Sequence, residues 1–306
     1  MPSLKVKFLE IEFNNPLVMP SGILQEVKAH YQAEKYGLGG VTTKSMTMEP
    51  REGNPLPRVI KYEYGILNSV GLRNPGIKKG RGEWAKFIKA TKIPVIGSVF
   101  AVKVADFVYL ATEVEKIKPA MIELNLSCPN TVDELGEPLG MGVESTAAAV
   151  RAVRKVLKKK TKILAKLSPN INNIGEVAKA AEANGADAIT AINTVGPGMV
   201  INIKTRRPML GNLCGGVSGP GIRPLAVRCV WDIYNSVKCP ILGMGGVETA
   251  NDVVEMMLAG ATLVGVGSAW YRHGFGIYKK IKTDLRQYMK ENIIKSLKEL
   301  IGGAHE

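Results

Sequence analysis

Short apolar runs alternate with amphipathic stretches along most of this chain, and from about residue 90 the alternation is regular. The runs that read as strands are "PVIGSVFA" (94–101), "MIELNLS" (121–127), "KILAKLS" (162–168), "AITAINT" (188–194), "PILGMGGV" (240–247) and "LVGVGSA" (263–269). Between them apolar positions recur at helical spacing over 103–117, 144–159, 174–184, 222–237 and 249–259. Two further strands, "PLVMPSG" (16–22) and "GGVTTKS" (39–45), flank a helix expected over about 26–36. Strands that are apolar on both faces, set between helices, imply a parallel sheet covered on both sides. Eight such units without an obvious linker favour a closed (β/α)₈ barrel, a single domain over 1–306; an open doubly wound sheet is the alternative, because periodicity does not reveal closure.

Three interruptions stand out. Residues 46–80, rich in Gly, Pro and Asn, exceed a plain strand-to-helix loop and are expected to hold a small hairpin; 129–143 and 195–221 are the other long insertions. All three follow strands, so in a barrel they emerge at the C-terminal face, where active sites are built.

Composition narrows the class. Hydrophobic residues make up 45% and charged residues 22% of 306, which suits a globular protein with a sizeable core. No apolar run approaches the roughly 20 residues that span a bilayer, and "MPSLKVKFLEIEF" lacks a signal peptide's apolar segment. A cytoplasmic protein without a membrane partner is expected. The cysteines (Cys128, Cys214, Cys229, Cys239) and histidines (His30, His273, His305) are scattered, which offers no metal or iron–sulfur ligand pattern. The net charge of +14 is spread along the chain without basic–aromatic interleaving, so a lysine-rich solvated surface is preferred to nucleic-acid binding.

The strand ends carry the chemistry. In order they present Ser21 and Gly22; Thr43, Lys44 and Ser45; Ser98; Asn125 through Asn130; Lys166 and Ser168; Asn193 and Thr194; Gly245 and Gly246; Gly267 and Ser268. Lys44 and Lys166 end otherwise apolar or hydroxyl-bearing strands, where a lysine is desolvated unless an anion meets it. A structural ion pair is the competing reading; two such lysines on different strands favour an anionic ligand. "GMGGV" and "GVGS" precede helices, so their backbone N–H groups suit a phosphate, although glycine also serves tight turns. Asn68, Asn125, Asn130 and Asn193 offer both donors and acceptors, as a ligand with alternating C=O and N–H groups requires; for any one of them a turn-forming role competes.

The segments "TTKSMT", "NSVGLRNPG", "ELNLSCPN", "AKLSPN", "INTV", "KTRRPMLGNLCGGVSGPGIRP" and "LGMGGV" together resemble the dihydroorotate dehydrogenases, in their order, from residue 16 to about 270. The likeness is to the cytosolic, cysteine-containing class 1, and within it to the heteromeric NAD-linked subclass. The resemblance implies a barrel holding FMN at its mouth and oxidation of dihydroorotate to orotate in pyrimidine biosynthesis. A proton leaves C5 and a hydride passes from C6 to flavin N5. It implies Cys128 as the general base and Lys44 as a charge-offsetting catalytic group between flavin and substrate. Substrate contacts fall on Asn68, Asn125, Asn130, Asn193 and Thr194, with the backbone of Val70, Gly71 and Leu72 receiving the carboxylate. Flavin contacts fall on Ser21, Lys44, Ser45, Ser98, Asn125, Lys166 and Ile192. The phosphate cradle falls on Gly219, Gly245, Gly246, Gly267 and Ser268. No metal is implied.

Two features depart from the family pattern. Ser98 stands where the family often carries Asn, and the base-bearing loop continues "NTVDELGEPLGMGVE", more acidic than the commoner glycine-rich version. The resemblance further implies a homodimer, or a heterotetramer with a partner carrying FAD and a 2Fe-2S centre; fumarate or a quinone are alternative acceptors. Rival readings are the pyrimidine-reducing domain of dihydropyrimidine dehydrogenase, which shares "NLSCP", and a non-catalytic barrel serving as a binding module.

Overall fold

The computed structural model of the protein describes residues 2–127 and 138–305. Eight parallel strands close into a barrel: Leu17–Met19, Gly40–Thr42, Val95–Val99, Met121–Asn125, Ile163–Lys166, Ala188–Ala191, Ile241–Met244 and Ala261–Gly265. Each pairs in parallel with its sequence neighbours, and the last pairs with the first through Val264 opposite Leu17. The closed barrel is therefore the architecture, and the open sheet is excluded.

Alternation within each strand divides the core in two. Outward side chains such as Val41, Val95, Ile122, Leu124, Ile163, Ile189 and Val264 join one large cluster with the surrounding helices. Inward side chains Val18, Ile96, Met121, Leu164, Ala188, Leu242 and Leu263 fill the lumen. With both faces buried, neither face of a strand needs polar residues, which explains the near-continuous apolar runs.

The helices follow the expected positions: Val27–Lys35, Val104–Glu115, Val143–Val156, Ile174–Ala183, Arg223–Ser236 and Ala250–Leu258. The last opens on a reciprocal cap, in which Thr249 Oγ1 accepts from the Asp252 backbone N–H while the Thr249 N–H donates to Asp252 Oδ2. Among the described residues no helix is long and apolar enough to cross a membrane.

Four elements enlarge the expected plan. An antiparallel hairpin, Val6–Phe8 with Ile11–Phe13, plugs the bottom of the lumen with Val6, Phe8 and Phe13. Its strands are too short for their alternation to register as a pattern. The long insertion 46–80 does hold a hairpin, Val59–Tyr62 with Gly65–Asn68. That hairpin is extended by Gly215–Ser218 and Val195–Gly198 from the late insertion into a four-stranded antiparallel sheet. Helix Gly76–Ala90 begins inside the stretch read as loop; Gly76, Gly80 and Gly82 dilute its helical propensity. Finally, Ser268–His273 and Gly276–Glu291 complete the helical ring after the last strand. There the buried Tyr278 hydroxyl donates to the Val266 carbonyl at 3.0 Å.

Candidate active site

The C-terminal mouth of the barrel and the underside of the four-stranded sheet enclose a cavity. About 1090 Å³ of space lies between its walls, part of it open to solvent. Nearly every strand end contributes. Ser21, Lys44, Ser45, Asn68, Val70, Gly71, Leu72, Asn125, Lys166, Ile192, Asn193, Thr194, Gly245, Gly246, Gly267 and Ser268 all line it. Cys128 and Asn130 lie outside the described residues. Two other expected residues stand behind the wall. Ser98 is fully buried, 2.8 Å from Ser45 Oγ. Gly219 places its carbonyl against Gly246.

The lysines explain the electrostatics. Lys44 is 5% exposed and Lys166 4%. Both lie on inward-facing positions, because Thr42 and Leu164, two residues earlier on the same strands, also point into the lumen by alternation. Lys166 reaches across the mouth, its Nζ donating to Ser21 Oγ at 3.3 Å. Ser21 follows the strand diametrically opposite in the barrel order. Among the described residues Lys166 has no carboxylate partner. A desolvated ammonium served by one hydroxyl is costly, and an anionic ligand at the mouth removes that cost.

Amides frame the same space. Asn125 Nδ2 donates to Ser45 Oγ at 3.1 Å, while its Oδ1 accepts from the Ser127 backbone N–H and hydroxyl. Asn193 Nδ2 donates to both the carbonyl and the hydroxyl of Ser127 at 3.0 Å. Two of the expected substrate amides therefore fasten the residue immediately before Cys128. Asn68 Nδ2 donates to the Gly216 carbonyl at 3.2 Å, which joins the hairpin to the late insertion.

At the far side the chain turns through Gly245 and Gly246, with φ of 138° and 74°. A side chain at Gly246 would place its Cβ 2.7 Å from the Gly219 carbonyl and 3.0 Å from the Arg223 backbone nitrogen. This backbone is bare because nothing larger fits, and a ligand can approach it closely. Arg223, at the start of the helix Arg223–Ser236 that precedes this strand and turn, is held by Asp252 and by Glu255.

The sequence reading missed part of the wall: Pro20, Ile23, Val59, Ile66, Ser218, Ile222 and Tyr271. Tyr271 donates its hydroxyl to the Ile23 carbonyl at 3.1 Å, and burial raises its pKa above the ordinary phenol value. Its only signal in sequence is its place just after the last strand. Two of the other thiols, Cys229 and Cys239, are held protonated by burial, which pushes Cys229 up to about 11 and Cys239 to about 12. Among the described residues no group of three or more His, Cys, Asp or Glu is arranged for a metal.

Fold and site define a (β/α)₈ barrel with an amide-lined, cationic ligand site at its C-terminal mouth. A family model described as dihydroorotate dehydrogenase matches residues 3–289, and the chain belongs to that family. It is similar to the protein of Pyrococcus furiosus named "Dihydroorotate dehydrogenase B (NAD(+)), catalytic subunit", with 40% identity over 305 residues, 99% of each chain. Proteins of the same name from Methanothermobacter thermautotrophicus and Geobacter metallireducens are 39% and 38% identical, covering 99% and 98% of this chain and 99% and 98% of theirs.

Proposed function

We propose that this chain is the catalytic subunit of an NAD-linked dihydroorotate dehydrogenase, binding FMN and oxidising dihydroorotate to orotate. The observation that carries the reading is Lys166: a buried cation without a carboxylate partner among the described residues, in a cavity also lined by Lys44 and three asparagines. The residues suit FMN on their own chemistry. Lys166 and Lys44 offset anionic charge, Gly245 and Gly246 leave bare backbone beside the cavity, and Asn125 supplies amide hydrogen bonds.

FMN bound at this mouth supplies the hydride acceptor for substrate C6. The chain's own residues do the rest. Cys128, as thiolate, takes the proton from C5; a free thiol has a pKa of about 8.5, so its surroundings must make the thiolate accessible. Asn125 and Asn193, through Ser127, fix the segment that carries it. Lys44 balances negative charge on the substrate carboxylate, which the backbone at Val70, Gly71 and Leu72 receives. Asn68, Asn130 and Thr194 orient the ring.

The words "catalytic subunit" and "NAD(+)" in the relatives' names support a second polypeptide that passes electrons to NAD. FAD and a 2Fe-2S centre belong on that partner, since this sequence has neither an early Rossmann fingerprint nor a cysteine cluster. The catalytic chain pairs with itself, and the assembly is cytoplasmic. The test is a steady-state assay of the purified protein with an artificial acceptor, dihydroorotate and dihydrouracil being offered separately. Dihydroorotate is expected to be oxidised; turnover of dihydrouracil alone would transfer the assignment to a pyrimidine reductase.

A further inference from the structure

Glu123 is a buried acid for which the reaction above has no use. It sits on the fourth barrel strand, 1% exposed, facing the lumen between Met121 and Asn125. Only Oε1 is engaged, accepting from Ser98 Oγ at 3.0 Å; Oε2 has no hydrogen-bond partner among the described residues. An apolar residue there would avoid a desolvation cost, so stability does not account for a carboxylate.

We infer that Glu123 is a positioning residue that sets the hydrogen-bond polarity of the flavin-facing wall, an inference that rests on the function proposed above. A serine hydroxyl has one proton. Ser98 spends its proton on Glu123, so across the 2.8 Å contact with Ser45 it can only accept, and Ser45 must donate. Ser45 Oγ also accepts from Asn125 Nδ2. Asn125 cannot be turned round, because the Ser127 backbone N–H is bound to its Oδ1 and can only donate. The result is one directed chain, Asn193 to Ser127 to Asn125 to Ser45 to Ser98 to Glu123, with every donor pointing toward the carboxylate.

The consequence reaches the cavity through Ser45 and Asn125, both of which line it. With its proton drawn inward, Ser45 offers the ligand a lone pair and no donor. Asn125, with Oδ1 occupied, offers its second Nδ2 proton. The wall thus presents an acceptor beside a donor, matching a ligand edge with an N–H next to a C=O. Without an acceptor at position 123, the Ser98 hydroxyl is free to turn to Ser45, and Ser45 to turn its proton to the cavity. That wall would reject the ligand group it now accepts from.

The test separates polarity from charge. Glu123→Gln keeps an acceptor oxygen at the same reach, whereas Glu123→Met keeps length and removes the acceptor. In protein freed of flavin, Glu123→Met is expected to weaken FMN binding by about threefold to tenfold, the range of one ordinary hydrogen bond. Glu123→Gln should stay within about twofold of wild type by the same measure. If Glu123→Met does not fold, Ser98→Ala, which removes Ser45's acceptor, should give the same loss. Equal impairment of the Gln and Met variants would mean that charge matters, and would overturn the inference; so would wild-type affinity in Glu123→Met or Ser98→Ala. Neutron diffraction from deuterium-exchanged wild-type crystals reads the polarity without any ligand. Deuterons on Ser45 aimed at Ser98, and on Ser98 aimed at Glu123, are expected, and the opposite sense refutes it. Wild-type protein that fails to bind FMN would sink the proposed function, while the neutron map would still decide the direction of the chain.

Discussion

Replacing Lys166 with methionine keeps the length of the side chain and removes its charge, and the structure predicts opposite effects on stability and on binding. Lys166 is 4% exposed, and among the described residues its ammonium is compensated by a single hydroxyl, Ser21 Oγ at 3.3 Å. Exchanging poorly compensated buried charge for an apolar side chain of similar volume stabilises by about 1–4 kcal/mol. For a chain of this size that corresponds to a rise in Tm of roughly 1.5–6 °C. Binding moves the other way. A hydrogen bond to a charged group contributes about 1.5–3 kcal/mol, so the variant should bind FMN about 10- to 150-fold more weakly. Differential scanning calorimetry of flavin-free protein, with flavin titration followed by fluorescence, measures both. A variant that melts lower than wild type and binds FMN equally well would show that Lys166 is a structural cation, and the electrostatic argument would fail.

Cys128→Ala should keep its flavin and lose about 10²- to 10⁴-fold in turnover at neutral pH, the usual share of a general base, as steady-state kinetics would read; wild-type rates would remove Cys128 from the mechanism. Gly246→Ala puts a Cβ 2.7 Å from the Gly219 carbonyl at a φ of 74°, so it should purify with much less flavin than wild type, measured by absorbance after acid release. His30 gives a pH prediction. Burial, its first cause, lowers its pKa to about 4, below the ordinary 6.5. Between those values the unfolded chain binds the proton and the folded chain does not, so stability falls as pH drops from 6.5 toward 4, by about 3 kcal/mol in total. Urea unfolding of His30→Leu should show a shallower acid slope than wild type; an unchanged slope would contradict the assignment.

The barrel was legible because burying both strand faces leaves a signal in composition alone: "MIELNLS" and "KILAKLS" read as strands whichever way they point. The ring of strand-end residues was legible for a related reason, since strands in parallel register bring all their C-terminal ends to one mouth. What sequence hid was direction and distance. Ser98 and Ser45 look alike as strand-end hydroxyls, yet one lines the cavity and the other supports it from behind. Glu123 reads as one polar interruption of an apolar strand, and its role depends on which hydroxyl its oxygen meets. Helix Gly76–Ala90 was hidden by its glycines, and the sheet over the mouth by long-range pairing of Asn68 with Gly216, which no local pattern encodes. Tyr271 enters the site only because a short helix folds back over the mouth.

In the function proposed above, this barrel passes two electrons from dihydroorotate to a flavin held at its mouth. Adding dihydroorotate without oxygen to the purified, flavin-loaded protein tests it most directly. Loss of the oxidised-flavin absorbance is expected, with one orotate formed per flavin. A flavin that stays oxidised under excess dihydroorotate, yet is reduced by dithionite, would contradict it.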